Sequence, residues 1–235
     1  MVLAAGLGTR MRPLTDTIPK PLVRVGNQTM LDRVLDTFAD AGVTRAVINT
    51  HHLPDQIEEH IARRPAPPTV AISTEISERL ETGGGVKRAL PLLRKHGDVF
   101  FTTNADSFWV GDATALRRLH DTYDPTRMDL LLLLSRREQS IGLGGHPGDF
   151  TMDDEGLLRR RSEAPAPYNY TGTAIMRADL FEGTPDTAFS LNLLFDRALE
   201  RKRLFGLLLE GLWLTVGTAE AIETAELALA KAGHW

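Results

Sequence analysis

The stretch LAAGLGTRMRPLTDTIPKPLV, Leu3 to Val23, follows two apolar residues and packs two glycines, two arginines, three prolines and one lysine into a single segment. MVL reads as a very short strand. A glycine-rich loop leaves its carboxyl end, where backbone N–H groups can converge on an anion. Gly6 and Gly8 permit close approaches that a side chain forbids. The spacing G-x-G-x-x-M lacks the third glycine of a dinucleotide fingerprint, and no G-x-x-x-x-G-K-[ST] occurs in the chain. Glycine spacing alone leaves a phosphate loop and a plain turn equally open. Arg10, Arg12 and Lys20 shift that balance, because a loop that also carries several cations suits a polyphosphate better than bulk water. Arg12 fits a surface ion pair equally well. Pro19 and Pro21 restrict the backbone on both sides of Lys20 and so fix where its side chain points.

Outward from this loop, strand-length apolar runs alternate with segments of helical period. MLDRVLDTFADAG (30–42) puts Met30, Leu31, Val34, Leu35 and Phe38 on one face and ends at Gly42, a suitable C-cap. RAVINT (45–50), TVAIST (69–74) and DVFFTTN (98–104) read as strands, with helices around 55–62, from about Gly85 to Leu93, and over 113–123. MDLLLLLS (128–135) is unbroken in its apolar character, which suits a central strand covered on both faces. This order predicts an α/β fold with a Rossmann-like, mainly parallel sheet, right-handed crossovers and flanking helices. The second half is more mixed. Short strands flank the turn 153–156, YNYTGTAIM (168–176) and the runs near 203–210 and 212–216 read as strands, and helices cover 191–200 and 219–232. No disordered linker or repeat divides the chain, so 1–235 is expected to be a single domain, with an α/β half to about 125 and a smaller mixed half over 126–235. Open sheets of this kind bind ligands at the carboxyl ends of their strands.

Composition narrows the function. The net charge of −4 gives no general basic field, so nucleic acid and anionic membrane are not expected partners. The chain has no cysteine, which excludes disulfides, thiolate nucleophiles and thiolate metal sites and agrees with a reducing cytoplasm. The longest strongly apolar run, Leu130 to Leu134, is far short of the roughly 20 residues of a membrane helix, and no signal segment opens the chain. A cytoplasmic protein is the expectation, with homo-oligomerisation left open.

The opening stretch resembles the signature of the sugar-1-phosphate nucleotidyltransferases, LAAG-x-G-[ST]-R-[ML]-x-P-L-T followed by P-K-[PA]-[LM]. LETGGGVKRAL from Leu80, TTNADSFW from Thr102, YNYTGTAIM and WLTVGTAEA from Trp213 resemble further blocks of that family. Within it, LETGGG and the short length look most like the N-acetylmuramate-1-phosphate uridylyltransferases of bacterial cell-wall (peptidoglycan) recycling. The resemblance implies a nucleotide-binding first half and a sugar-binding second half, and a one-step reaction. A sugar 1-phosphate oxygen attacks the α-phosphorus of a nucleoside triphosphate, UTP in that subgroup, and pyrophosphate leaves. It implies nucleotide contacts from Leu3, Ala4, Ala5, Gly6, Gly8, Thr9 and Arg10, with Arg10 clamping the outer phosphates and Lys20 acting as a compact charge at the reacting phosphates. Glu81, Thr82, Gly83, Gly84 and Asn104 complete the nucleotide site, Asn169, Thr171 and Gly172 face the sugar, and Asp106 binds Mg²⁺.

Competing readings stand beside these. An aspartate after a buried strand also caps turns, and three glycines also make a tight helix entry. His51 and His52 are adjacent, point different ways on most backbones, and are expected at the surface or behind the site. The family has an aspartate where this chain has Thr215, which removes a formal charge from the metal site. Members also carry a few more residues before the M-[VI]-L-A-A-G segment, so a shortened start would weaken the first strand. Guanylyl transfer to mannose or heptose 1-phosphate, or a nucleotide-sugar binding protein impaired in turnover, are the alternatives.

Overall fold

A computed structural model describes residues 1–76 and 78–233. The strands in chain order are β1 (Val2–Leu3), β2 (Arg24–Val25), β3 (Gln28–Thr29), β4 (Arg45–Thr50), β5 (Thr69–Thr74), β6 (Val99–Asn104), β7 (Ser107–Val110), β8 (Leu130–Arg136), β9 (Ser140–Ile141), β10 (Phe150–Met152), β11 (Leu158–Arg160), β12 (Tyr168–Arg177), β13 (Leu204–Leu208) and β14 (Leu212–Thr215). The helices are α1 (Met30–Asp40), α2 (Pro54–Arg63), α3 (Glu81–Leu93), α4 (Ala115–Thr122), α5 (Asn192–Glu200) and α6 (Ala219–Lys231).

Most of these elements follow from local pattern. Thr29 caps α1 by accepting from Asp32 N at 3.0 Å, and the predicted apolar face of Met30, Leu31, Val34, Leu35 and Phe38 is buried. Leu130 to Leu134 have no exposure at all, as a strand covered on both faces requires. Among the described residues, no helix is long and apolar enough to cross a membrane.

The main sheet runs β11-β10-β12-β6-β1-β4-β5, with β8 on β12 and β13 on β8. Strands β6, β1, β4 and β5 are parallel, as expected. Strand β12 lies antiparallel to both β6 and β8, so the sheet is mixed beyond β6. Strand direction leaves no trace in periodicity, which is why the sequence shows the strand and not its sense. A second sheet, β7-β14-β9, stands at the end of β6 and joins residues far apart in the chain. It is anchored by Asp112, a buried aspartate that accepts from Glu210 N, Arg118 and Thr114. Burial pushes its carboxyl upward, and these bonds outweigh that and hold it below the ordinary aspartate range.

Candidate active site

Strand β1 ends between β4 and β6, and all three point their carboxyl ends the same way. The chain leaving β1 is tied down at once: Ala4 N donates to Asn49 Oδ1 at 2.9 Å. Asn49 Nδ2 donates in turn to Glu75 Oε1 at 2.7 Å, and Glu75 Oε2 accepts from Leu80 N at 2.8 Å. Asn49 and Glu75 are each 2% exposed. These two side chains therefore lock the glycine loop, the end of β4 and the turn entering α3 into one unit. Sequence reasoning missed both. The available signal was a polar residue at the carboxyl end of a buried strand, Asn49 in β4 and Glu75 just beyond β5.

Gly8 sits at φ +64, and a Cβ there would lie 2.8 Å from Thr15 Cγ2 and 3.2 Å from Lys20 Cβ. Only glycine lets the loop turn this tightly against Thr15, whose hydroxyl donates to Gly8 O at 2.8 Å. Three short 3₁₀ turns then bring the chain back and place Lys20 beneath the loop, 8% exposed. Its Nζ lies 2.5 Å from Asp106 Oδ2, and Asp106 is held in the turn from β6 to β7 by Val216 N donating to its carbonyl at 2.9 Å.

Between these elements lies a cavity of about 220 Å³ lined by Leu3, Ala4, Ala5, Gly6, Lys20, Pro21, Asn49, Arg79, Glu81, Thr82, Asn104, Ala105 and Asp106. Nine of the residues singled out in the sequence meet there: Leu3, Ala4, Ala5, Gly6, Lys20, Glu81, Thr82, Asn104 and Asp106. Arg79, Asn49 and Ala105 were not foreseen, and Pro21 was read only as a restraint on Lys20. The lining carries two cations, Lys20 and Arg79, and two carboxylates, Asp106 and Glu81.

Other expected residues stand elsewhere. Gly83 and Gly84 are buried, and their N–H groups donate to Phe189 O at 2.8 and 3.1 Å, so these amides do not face the cavity. A Cβ at Gly83 would lie 2.4 Å from the Phe189 ring, so the glycines admit a neighbouring loop. That carbonyl caps the helix and lets α3 start at Glu81, four residues before the expected Gly85. Gly8, Thr9 and Arg10 lie outside the cavity lining. Arg10 is exposed, and its guanidinium lies against Gly217, where a Cβ would come within 3.1 Å of Nη2. Arg12 makes the surface pair, its Nε 3.0 Å from Asp16.

Of the three candidates on β12, Thr171 donates its hydroxyl to Leu133 O at 2.8 Å and is buried, which makes it a strand-bulge residue. Gly172, at φ +85, leaves room for Asn104, whose amide would lie 2.5 Å from a Cβ there. Asn169 is buried beside Ser140 and His146, in a neighbouring pocket. His51 Nδ1 lies 2.8 Å from Glu75 O, and His52 Nε2 lies 2.8 Å from Thr15 O, each propping a different loop behind the site. Thr215 pairs with Ser107 across β14 and β7, directly alongside Asp106. Among the described residues, no group of three or more His, Asp or Glu side chains gathers in a metal-binding arrangement.

Residues 1–144, more than half the chain, match the nucleotidyl transferase family. The N-acetylmuramate alpha-1-phosphate uridylyltransferase of Caulobacter vibrioides is 41% identical over 99% of this chain and 97% of its own. The enzyme of the same name from Neisseria meningitidis serogroup B is 33% identical over 100% and 98%. A mannose-1-phosphate guanyltransferase of Saccharomyces cerevisiae is more distant, 28% identical over 92% of this chain and 60% of its own. Among solved structures, HddC from Yersinia pseudotuberculosis superposes with a TM-score of 0.76 at 23% identity, covering 97% of each chain, which supports the fold. A UDP-glucose pyrophosphorylase bound to UDP-glucose reaches 0.77 at 17%, covering 98% and 97%. With a family match over most of its length and near-complete alignment to two such enzymes, the chain belongs to the nucleotidyl transferase family and is a nucleotidyltransferase.

Proposed function

We propose that the chain transfers a uridylyl group from UTP to N-acetylmuramate 1-phosphate, giving the nucleotide sugar and pyrophosphate. The observation that carries the reading is the buried Lys20 facing Asp106 inside the cavity closed by the Ala4–Gly6 backbone. The sugar and the base are supported by the two relatives that align end to end. A nucleotide-binding half to about residue 125 and a sugar-binding half beyond it follow from this reading.

In this proposal a phosphate oxygen of the sugar attacks the α-phosphorus in line, the P–O bond to the β-phosphate breaks, and pyrophosphate takes the electron pair. Lys20 neutralises charge gathering on the reacting phosphates; shielded from water, it needs little reorganisation to do so. Arg10, outside the cavity lining and against Gly217, reaches the outer phosphates with its planar fork in this reading. Glu81 and Thr82 flank base or ribose, and Asn104 stands between the two substrates.

The donor set suits Mg²⁺ that arrives with a triphosphate: one carboxylate, Asp106, with Oδ1 unbonded among the described residues, and a neutral Thr215 beside it. When bound, that ion would supply Lewis-acid neutralisation of phosphate oxygens. A place in peptidoglycan recycling in the cytoplasm fits the same reading.

The test is pyrophosphate release across a panel of nucleoside triphosphates and sugar 1-phosphates with Mg²⁺. Preference for UTP with N-acetylmuramate 1-phosphate is the expected result. Preference for GTP with mannose or heptose 1-phosphate would replace the substrate assignment, and nucleotide binding without any release would make the chain a binding protein.

A further inference from the structure

Beside the catalytic cavity lies a second pocket, of about 430 Å³, between the start of β9, the glycine-rich loop 142–148 and β12. Its lining includes Arg137, Glu138, Ser140, His146 and Asn169. The polar floor is built rather than incidental. Asn169 is 2% exposed, its Nδ2 donates to Ser140 Oγ at 2.9 Å, and its Oδ1 lies 3.2 Å from His146 Nδ1.

Arg137 is held at two points. Its backbone N donates to Pro167 O at 3.0 Å and its Nε to His146 O at 3.2 Å, while no Nη atom has a hydrogen bond or carboxylate partner among the described residues. The side chain is thus oriented by the loop and presents the paired donors of its fork. Glu138 shares the lining, and Asp149 Oδ1 lies 3.8 Å from His146 Nε2, so the pocket is not a general anion trap. Its one free set of cationic donors is on Arg137.

Position decides what those donors meet. Ser140 pairs with Trp213, and Thr215 pairs with Ser107, the residue after Asp106. Ser140 is level with Trp109, three residues from Asp106, but Gly142, in the same lining, lies against Thr215, so at that end the pocket stands two strand spacings, about 10 Å, from Asp106. A sugar 1-phosphate with its phosphate at Lys20 cannot offer that same phosphate to Arg137. A second acidic group on the sugar ring can.

We propose that Arg137, in the lining of this pocket, is a specificity residue that binds a carboxylate carried on the acceptor sugar through its two terminal nitrogens. The inference rests on the sugar given under Proposed function, because N-acetylmuramate differs from N-acetylglucosamine by its ether-linked lactyl carboxylate. A paired bond of this kind fits guanidinium geometry, which lysine cannot reproduce.

The experiment measures kcat and KM for N-acetylmuramate 1-phosphate and N-acetylglucosamine 1-phosphate, with UTP, on the full chain and on its Arg137→Ala and Arg137→Lys variants. For Arg137→Ala, KM for the carboxylate-bearing sugar is expected to rise on the order of tenfold to a hundredfold with kcat little changed, the mark of an interaction made equally in ground and transition states. The ratio of kcat/KM between the two sugars falls accordingly, and Arg137→Lys recovers part of the loss. Unchanged KM, or an equal loss on both sugars, overturns the inference while leaving the uridylyltransferase reading intact. A wild-type chain that works on the uncharged sugar and not on the acidic one overturns both.

Discussion

Replacing Asn49 by alanine tests the idea that one buried amide positions the whole nucleotide loop. The carboxamide makes a bond to Ala4 N at 2.9 Å and another to Glu75 Oε1 at 2.7 Å, both shielded from water. A neutral bond contributes about 1 kcal/mol and one to a charged acceptor about 2, so the variant should lose about 3 kcal/mol. For a chain of this size each kcal/mol corresponds to about 2–4 °C, which predicts a drop in Tm of about 6–12 °C. Urea denaturation followed by circular dichroism gives the same quantity independently, with an unchanged m-value if the transition stays two-state. Pairing Asn49→Ala with Glu75→Ala closes a double-mutant cycle in which the combined loss falls short of the sum, because the bond between them is deleted once. Additive losses, or a Tm shift below about 2 °C, would refute the claim that this pair ties the loop to β4.

Three further outcomes are expected. Lys20→Ala should lower kcat by about a hundredfold to a thousandfold, as removal of one preorganised charge does, while circular dichroism shows a folded chain; wild-type turnover would remove Lys20 from the site. Thr215→Asp places a carboxylate beside Asp106 and should tighten apparent Mg²⁺ affinity, read by Mg²⁺ titration of turnover and by calorimetry, and no change would place residue 215 away from the ion. Asp112→Asn should destabilise the fold at neutral pH by about 2 kcal/mol, since it breaks a buried charged bond to Arg118. The folded-state carboxyl titrates below its unfolded value, so its contribution is present above about pH 3.9 and is lost as the pH falls through the lower folded value. Denaturation midpoints of the two proteins should accordingly converge in acid.

The strand and helix positions were legible because burial imposes a period on the chain, and five consecutive leucines in β8 or the stripe of α1 show it plainly. Element ends were less so. The three glycines before Val86 discourage a helix by propensity, yet α3 runs through them because Phe189, a hundred residues on, caps and packs against them. Strand sense in β12 and the small sheet β7-β14-β9 were invisible for the same reason: pairing partners are chosen by distant segments.

The sequence by itself determined the α/β class, the glycine loop with its cations, and the position of Asn104 and Asp106 at the end of a buried strand, since parallel strands must present their carboxyl ends on one side. Only the tertiary structure decided that Lys20 is buried against Asp106, that Gly83 and Gly84 serve Phe189, that Thr171 spends its hydroxyl within the sheet, and that Asn49 and Glu75 hold the loop. Hydrogen-bonding groups are satisfied by whatever the fold brings within reach, and one-dimensional spacing does not record that reach.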